Sequence, residues 1–179
     1  MKTKQFIDLL LMCVILMFLN SCATIPNGAT AVKPFDKEKY LGKWYEIARK
    51  DFKYERNLSN TTAEYSLNDN GTIKVDNQGY DTITGKWTQA IGKAKFIGEE
   101  NIAKLKVSFF GPFYSGYNVI AIDSEYKYAL VVGKNLKYLW ILSREINIPV
   151  EIKDKYLKIA EEIGYNTADL IWVKHDKQK

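Results

Sequence analysis

The sequence predicts an all-β domain, an eight-stranded antiparallel up-and-down barrel, followed by one α-helix. Between Gly42 and Arg144, short strand-like runs follow one another at intervals of roughly 8–14 residues, with turn-forming residues and no helical pattern between them. A meander of eight such strands can close on itself, which removes unpaired strand edges. The predicted strands are Trp44–Arg49, Thr61–Leu67, Thr72–Gln78, Lys86–Ile91, Leu105–Phe110, Tyr117–Ile122, Tyr128–Val132 and Tyr138–Ser143.

Turn and cap residues delimit the other elements. Asp36 is placed to cap a short helical turn. The run Asn68–Gly71 predicts a tight hairpin turn, because Asn and Gly accept the positive φ angles that such a turn needs. Apolar residues recur at helical spacing over residues 149–163, and Gly164 is a typical helix stop, so we expect one helix there. Leu170–Val173 is predicted to be a final short strand.

The first 21 residues are predicted to be a signal peptide of the lipoprotein type. A basic start precedes an apolar run, Leu9–Leu19, that is too short for a permanent membrane span, which needs ~20 apolar residues. The following Asn20-Ser21-Cys22 completes a sequence that resembles a bacterial lipobox. We therefore expect cleavage before Cys22 and acylation of its sulfur and amine, which is enough for stable anchoring. Ordinary secretion, with Cys22 as an incidental thiol, is the alternative.

The residues after the cleavage site predict location and organisation. Ala23 follows the cysteine, and by resemblance to enterobacterial lipoproteins this favours a lipid-anchored protein of the bacterial outer membrane that faces the periplasm. Residues 22–34 are small, polar and broken by proline and glycine, so we expect a tether. Residues 35–175 are predicted to form the barrel domain, and residues 176–179 a charged tail.

Composition argues against several classes of function. Both cysteines, Cys13 and Cys22, lie in the first 22 residues, so the folded domain has no thiol for a disulfide, a nucleophile or a metal site. The single histidine, His175, lies near the charged tail. We expect no metal, no cofactor and no enzyme; catalysis by barrel carboxylates such as Glu46 is the alternative. The net charge of +5 is modest, and the basic group Arg49–Arg56 is interpreted as an edge that is solvated or faces anionic headgroups, not as a nucleic-acid site.

Three motifs carry a resemblance to a known family. Gly42–Trp44 on the first strand, Asn118–Asp123 followed by Tyr126, and Trp140–Arg144 match, in order and spacing, the motifs of the lipocalins. The surrounding stretches resemble the bacterial outer-membrane lipocalins in particular, which are similar to apolipoprotein D. The match runs from about residue 35 to residue 172, nearly the whole predicted mature chain.

The resemblance implies a barrel with a cavity open at one end, one helix packed outside, and binding of small hydrophobic molecules. It gives Gly42, Trp44, Asp123 and Arg144 a structural role, with Arg144 covering the Trp44 ring at the closed end. It also implies that similar chains can form homodimers, which the sequence does not decide. We expect a lipid-anchored protein that binds, and by extension transports or stores, fatty acids or lysophospholipids in the cell envelope. A structural or interaction lipoprotein with a filled barrel is the alternative.

Strand alternation predicts which side chains face the interior. Counting from Trp44 places Glu46 and Ala48 inside, where Glu46 would contact a ligand headgroup or form a buried bond to a tyrosine or to water. The aromatic connection Phe109–Tyr114 would grip a ligand, touch a membrane or partner subunit, or fold inward as core. With the register taken from the family, the candidate ligand-binding residues are Glu46, Tyr65, Val75, Asn77, Val107, Phe109, Tyr117, Val119, Tyr138 and Trp140.

Overall fold

A computed structural model describes residues 24–177, so the predicted signal peptide, Cys22 and the end of the charged tail lie outside the described residues. The described chain contains a short helix α1, eight successive strands, a longer helix α2 and a short strand β9. Their bounds are α1 (Lys37–Tyr40), β1 (Gly42–Arg49), β2 (Leu58–Leu67), β3 (Ile73–Asp81), β4 (Lys86–Phe96), β5 (Lys104–Phe110), β6 (Phe113–Ile122), β7 (Tyr128–Val132), β8 (Leu139–Ser143), α2 (Val150–Ile163) and β9 (Ile171–Trp172). No helix within residues 24–177 is both long enough and apolar enough to cross a membrane.

The eight strands form a closed antiparallel barrel, as predicted. Each strand pairs with the next along the chain, and β1 pairs with both β2 and β8. The register places Trp44 opposite Ala63 on β2 and Glu46 opposite Leu142 on β8. Strand β9 adds to β1 at Ala48 and Arg49, beyond the end of the β1–β2 pairing. Because closure is complete, the barrel encloses an interior whose wall is set by alternation along each strand.

A bulge in β1 changes that alternation. Glu46 pairs with Leu142, but Ala48 rather than Ile47 pairs with the next residue of β8. Two successive residues, Ile47 and Ala48, therefore pack on the outside beneath α2, and Arg49 turns inward. The expectation that Ala48 faces the interior was wrong for this reason. The interpretation of Arg49 as part of an exposed basic edge was also wrong, because the side chain is buried.

Helix α2 packs outside the barrel and forms the second of two hydrophobic cores. Its Tyr156 and Ala160 are buried against the outer faces of β1, β7 and β8, and the Tyr156 hydroxyl donates to the Tyr128 carbonyl at 2.8 Å. Gly164 ends the helix with a left-handed φ of +105°, as its position predicts. At the other helix, the Asp36 side chain accepts hydrogen bonds from two backbone N–H groups of α1. Both caps agree with the sequence.

Residues 24–34 lie against the barrel and do not extend freely from it, which corrects the expectation of a tether for this stretch. The Val32 N–H donates to the Val119 carbonyl at 2.9 Å, and the Ala103 N–H donates to the Val32 carbonyl at 2.9 Å. Ile25 packs against the core beneath α2. The small, polar composition did not reveal this docking, because backbone hydrogen bonds to distant strands supply much of it.

Candidate functional site

The barrel contains a cavity of about 680 Å³ that opens at one end. At that open end lie the connections 50–57, 82–85, 111–112 and 133–138, whereas α1 and the three other strand connections lie at the closed end. The volume is within the range of ~300–1,000 Å³ that is typical of small-molecule pockets. The wall is mainly apolar and aromatic, with charged residues near the open end. The barrel interior is therefore not filled by its own side chains.

Nine of the ten candidate ligand-binding residues lie on the cavity wall. Val119 does not; it is fully buried in the core that also contains Trp44. Further wall residues include Leu105, Ala94 and Glu55, which the sequence did not single out. The nine predicted residues on the wall are Glu46, Tyr65, Val75, Asn77, Val107, Phe109, Tyr117, Tyr138 and Trp140.

The closed end is sealed by residues of the three sequence motifs. The Arg144 guanidinium carbon lies 3.8 Å from the centroid of the buried Trp44 ring, and the same guanidinium donates to the carbonyls of Lys43 and Leu41 at 2.7 and 2.8 Å. Gly42 has a φ of +89°, which a side chain would strain, and lies beside Arg144. Asp123 accepts hydrogen bonds from three backbone N–H groups, two in the β6–β7 connection and one at the first residue of β7. These contacts hold the fold together and do not reach the cavity.

Three tyrosines form the floor of the cavity. The Tyr117 hydroxyl lies 2.6 Å from the Tyr40 hydroxyl and 2.7 Å from the Tyr65 hydroxyl. Burial raises the pKa of all three phenols, so they stay neutral. Because the polar tips bond to one another, the rings present mainly apolar surface to the interior.

A buried ion pair within β1 joins the wall residue Glu46 to Arg49. Arg49 donates from Nη1 to Glu46 Oε1 at 2.7 Å, and from Nη2 to the carbonyls of Glu55 and Leu58 at 2.7 and 3.0 Å. Burial raises the pKa of Glu46, and the charge and hydrogen bond of Arg49 oppose that rise. The protein partner of Glu46 is thus an arginine, which the sequence analysis did not name. The arginine also ties the β1–β2 connection to the barrel.

Glu55 is a second carboxyl group at the cavity, between the ion pair and the mouth. Its Oε2 accepts a hydrogen bond from Trp140 Nε1 at 3.0 Å. Burial, reinforced by the nearby Glu46, raises the pKa of Glu55 to about 8, against the opposing effects of Trp140 and Arg49. The group is therefore mostly protonated at neutral pH. Its only signal in the sequence is its place as one of two acidic residues, with Asp51, among the aromatic and basic residues of the β1–β2 connection.

The aromatic residues at the β5–β6 connection point in two directions at the cavity mouth. Phe109 is partly buried and faces the interior, whereas Phe110 and Phe113 are exposed. Tyr54, from the β1–β2 connection, packs beside Phe110 with ring centroids 5.9 Å apart. Part of the predicted rim therefore lines the cavity, and part of it forms an aromatic surface around the opening.

His175 takes part in the structure of the barrel wall. Its Nε2 lies 2.8 Å from the Glu46 carbonyl oxygen, and its ring meets Tyr45 edge to face. Within residues 24–177 no group of histidine, cysteine, aspartate and glutamate side chains is arranged to hold a metal ion. The arrangement offers a binding cavity.

Comparison with known proteins agrees with this geometry. A family model described as a lipocalin-like domain matches residues 35–175. The chain is 52% identical to the outer membrane lipoprotein Blc of Escherichia coli over 154 residues, which cover 86% of this chain and 87% of the relative. It is 45% identical to the protein of the same name from Vibrio cholerae over 166 residues, which cover 92% and 96%.

Solved structures show the same fold at lower sequence identity. Insecticyanin from the tobacco hornworm Manduca sexta superposes with a TM-score of 0.68 at 20% identity, covering 84% of this chain and 86% of that one. Proteins with this family's fold typically bind and carry small hydrophobic molecules, as the open apolar cavity would allow. The motifs, the closed eight-stranded barrel and the matched domain agree: the chain belongs to the lipocalin family.

Proposed function

We propose that this lipocalin is a lipid-anchored protein of the bacterial outer membrane that binds single-chain lipids, fatty acids or lysophospholipids, and carries or stores them in the cell envelope. The observation that carries the proposal is the open cavity, which is apolar in its depth and charged at its mouth. A lipid with one acyl chain matches this arrangement, because its chain is apolar and its headgroup is polar or charged.

The acyl chain supplies most of the binding energy in this account. Enclosing about 14 methylene groups contributes roughly 8–11 kcal/mol at ~0.6–0.8 kcal/mol per group. The freedom that the lipid and the protein lose on association costs ~4–15 kcal/mol, which opposes this gain. Binding is therefore favourable only for a chain that is nearly fully enclosed, which an aromatic floor at Tyr65 and Tyr117 and aliphatic walls at Val75 and Val107 provide.

The polar groups favour a lysophospholipid over a fatty acid. Both Nη groups of Arg49 already donate to protein acceptors, so they are poorly placed to receive a carboxylate. The carboxylate of a fatty acid would also meet the carboxyl group of Glu46, which already pairs with Arg49. A glycerol hydroxyl can instead bond to the protonated Glu55, while Lys53 and Arg56 at the mouth attract a phosphate. We expect the headgroup at the mouth and the chain in the depth.

The competing functions fit the structure less well. A filled barrel with a purely structural role does not account for an open cavity of about 680 Å³. For catalysis, the two carboxyl groups are already engaged with protein partners, Glu46 with Arg49 and Glu55 with Trp140. We propose a binding protein, not an enzyme.

The proposed anchor is Cys22, acylated after cleavage of residues 1–21. Two relatives that match most of this chain are named outer membrane lipoproteins, which supports the same membrane here. We propose that the protein lies on its periplasmic face. Mass spectrometry of the N-terminal peptide from membrane-extracted protein tests the anchor. A diacylglyceryl group and an amide-linked acyl chain on Cys22 are expected, and an unmodified or differently cleaved N-terminus would contradict the proposal.

Native mass spectrometry tests the ligand. Delipidated protein that begins at Ala23 is mixed with a lysophosphatidylethanolamine or with palmitic acid. We expect a saturable adduct with one lysophospholipid per chain, formed at lower lipid concentration than the palmitate adduct. The absence of any saturable adduct would overturn the binding function, and tighter binding of palmitate would overturn the headgroup preference alone.

A further inference from the structure

We infer that Asn77 selects single-chain lipids that carry a hydroxyl group in the half of the acyl chain that is far from the headgroup. The inference rests on the proposed function, because it assigns a specificity to the cavity that holds the chain. Three observations carry it: an unpaired buried oxygen on the cavity wall, the small and apolar residues around it, and the position of Asn77 along β3.

Asn77 holds a polar group that the fold does not satisfy. Its side chain lines the cavity, yet its Oδ1 is fully buried and no protein group donates to it. A buried amide oxygen without a donor destabilises the folded protein, so such groups are uncommon. Thr61 is the other residue of the described wall with an unpaired buried polar atom, but its hydroxyl lies close enough to Glu46 to lower the pKa of that carboxyl.

The residues around Asn77 are small or apolar. Strand pairing places Ala63 of β2 and Ala90 of β4 directly beside it. Its neighbours on the same face of β3 are Val75 and Gly79. No side chain at these four positions can bond to an amide, and the two alanines leave space that a larger residue would fill. A ligand in the cavity can therefore reach the Asn77 side chain.

The neighbouring amides on the outer face of the sheet are engaged with the protein. Gln78 Nε2 donates to Asp76 Oδ1 at 3.3 Å, and Gln89 Nε2 donates to the two carboxylate oxygens of Asp76 at 2.9 and 3.0 Å. The same stretch of β3 and β4 thus pairs its outward amides and leaves its inward amide unpaired. This contrast favours a role for Asn77 in binding over a role in the fold.

A hydroxyl group is the ligand group that fits this amide. The asparagine side chain offers one acceptor oxygen and two N–H donors, and rotation about its last torsion exchanges their positions. A hydroxyl group both donates and accepts, so it satisfies the amide in either orientation. An ester oxygen only accepts and would leave Oδ1 unpaired. A carboxylate also only accepts, and it would lose its solvation against an apolar wall.

The position of Asn77 along β3 determines where on the lipid the hydroxyl group must lie. Asn77 is the middle residue of β3, and the strand ends at Asp81, beside the open end. The distance between these two residues is about 13 Å along the strand. Val75, the next inward residue towards the closed end, is buried in the core that contains Trp44. With the headgroup at the mouth, the deeper half of the acyl chain therefore passes Asn77.

Competition between matched lipids tests this specificity. Delipidated protein that begins at Ala23 is mixed with equal amounts of stearoyl and 12-hydroxystearoyl lysophosphatidylethanolamine, and native mass spectrometry compares the two adducts, which differ by one oxygen atom. We expect the 12-hydroxystearoyl lipid to bind roughly three- to tenfold more tightly, which is the effect of one hydrogen bond between neutral groups. The 2-hydroxystearoyl lipid, whose hydroxyl group lies beside the headgroup, should have no such advantage over the stearoyl lipid.

The variant Asn77→Leu tests whether this residue causes the preference. It removes the amide and keeps a similar volume, so it should bind the stearoyl lipid at least as tightly as the parent and should lose the preference for the 12-hydroxystearoyl lipid. The variant should also unfold at a higher urea concentration, because the unpaired oxygen is gone. The matched control is Lys74→Leu on the outer face of β3, which should keep the preference of the parent.

The outcomes separate this inference from the proposed function. Saturable binding of the three lipids with equal affinity would overturn the inference and leave the proposed function standing. A preference for the 12-hydroxystearoyl lipid that persists in Asn77→Leu would also overturn the inference, and so would unfolding of Asn77→Leu at a lower urea concentration than the parent. If none of the lipids forms a saturable adduct, the proposed function fails and the inference fails with it.

Discussion

Trp140 donates its indole N–H to the carboxyl group of Glu55 at 3.0 Å, and this bond joins the β1–β2 connection to β8 at the mouth of the cavity. The two residues are 85 positions apart in the chain. Glu55 is the polar group that lies between the charged rim and the apolar depth. Its protonation state should therefore influence both the stability of the barrel and the lipid that enters it.

Stability should fall with rising pH because of Glu55. Its folded-state pKa of about 8 lies above its ordinary value of 4.5, so the folded state retains a proton that the unfolded state has lost. The free energy of unfolding should decrease from pH 4.5 to 8 and level off above that, by an amount on the order of a few kcal/mol. In Glu55→Gln this decrease should be much smaller, with only the part due to Glu46 remaining, which thermal unfolding of delipidated protein at several pH values would show.

The control for this prediction is Glu162→Gln, since Glu162 is exposed on α2. It should unfold like the parent protein at every pH. If Glu55→Gln and the parent keep the same difference in melting temperature from pH 5 to 9, Glu55 is ionised in the folded state and the account of the mouth is wrong.

Replacing one member of the buried ion pair should lower the free energy of unfolding more than replacing both members. The variant Arg49→Met leaves Glu46 buried without its cation, and such a change typically destabilises by ~3–5 kcal/mol. The double variant Glu46→Gln/Arg49→Met should recover a part of that loss, because no unpaired charge remains. Urea unfolding of the single variants Arg49→Met and Glu46→Gln and of the double variant measures the coupling between the two side chains. Additive effects would show that the two side chains do not act as a pair.

The closed end should govern stability without governing binding. Trp44→Ala removes a fully buried ring and the surface on which Arg144 stacks, so we expect a loss of ~3–5 kcal/mol in the free energy of unfolding. At a temperature where the variant is folded, its affinity for lysophospholipid should match that of the parent. A large loss of affinity in the folded variant would mean that the motif residues shape the cavity directly.

A charge in the depth of the cavity should have the opposite effect. Val107→Asp places a carboxylate on the apolar wall, where an acyl chain would have to desolvate it. We expect the affinity for lysophospholipid to fall by on the order of 100-fold, about 2.7 kcal/mol. The matched control is Ile91→Asp, which puts the same side chain on the exposed face of β4. Equal binding by the two variants would place the ligand outside the barrel.

Much of the fold could be predicted because local patterns encode it. The eight strands and α2 follow from alternation, turn residues and helical spacing, and the three motifs supply the closure at Trp44 and Arg144. Most candidate wall residues lie where alternation places them. Val119 does not, because side chains of the closed-end core cover it.

The parts that could not be predicted depend on contacts between distant residues. The bulge in β1 moves Ala48 outward and Arg49 inward, and its only trace in the sequence is the adjacent pair of apolar residues Ile47 and Ala48. Glu55 becomes part of the site through the path of a long connection. The docking of Thr24 rests on Asn118, 94 residues away, and no local pattern records such a contact.

The central claim is that an acyl chain lies inside the barrel beside Trp140. A lysophospholipid brominated in the middle of its chain should quench the fluorescence of delipidated protein saturably, with one lipid per chain. Because the protein has four tryptophans, the same titration on Trp140→Phe identifies the source of the signal. We predict that Trp140→Phe loses most of the quenching while it still binds the lipid. Unsaturable quenching, or quenching of equal size in Trp140→Phe, would contradict the claim.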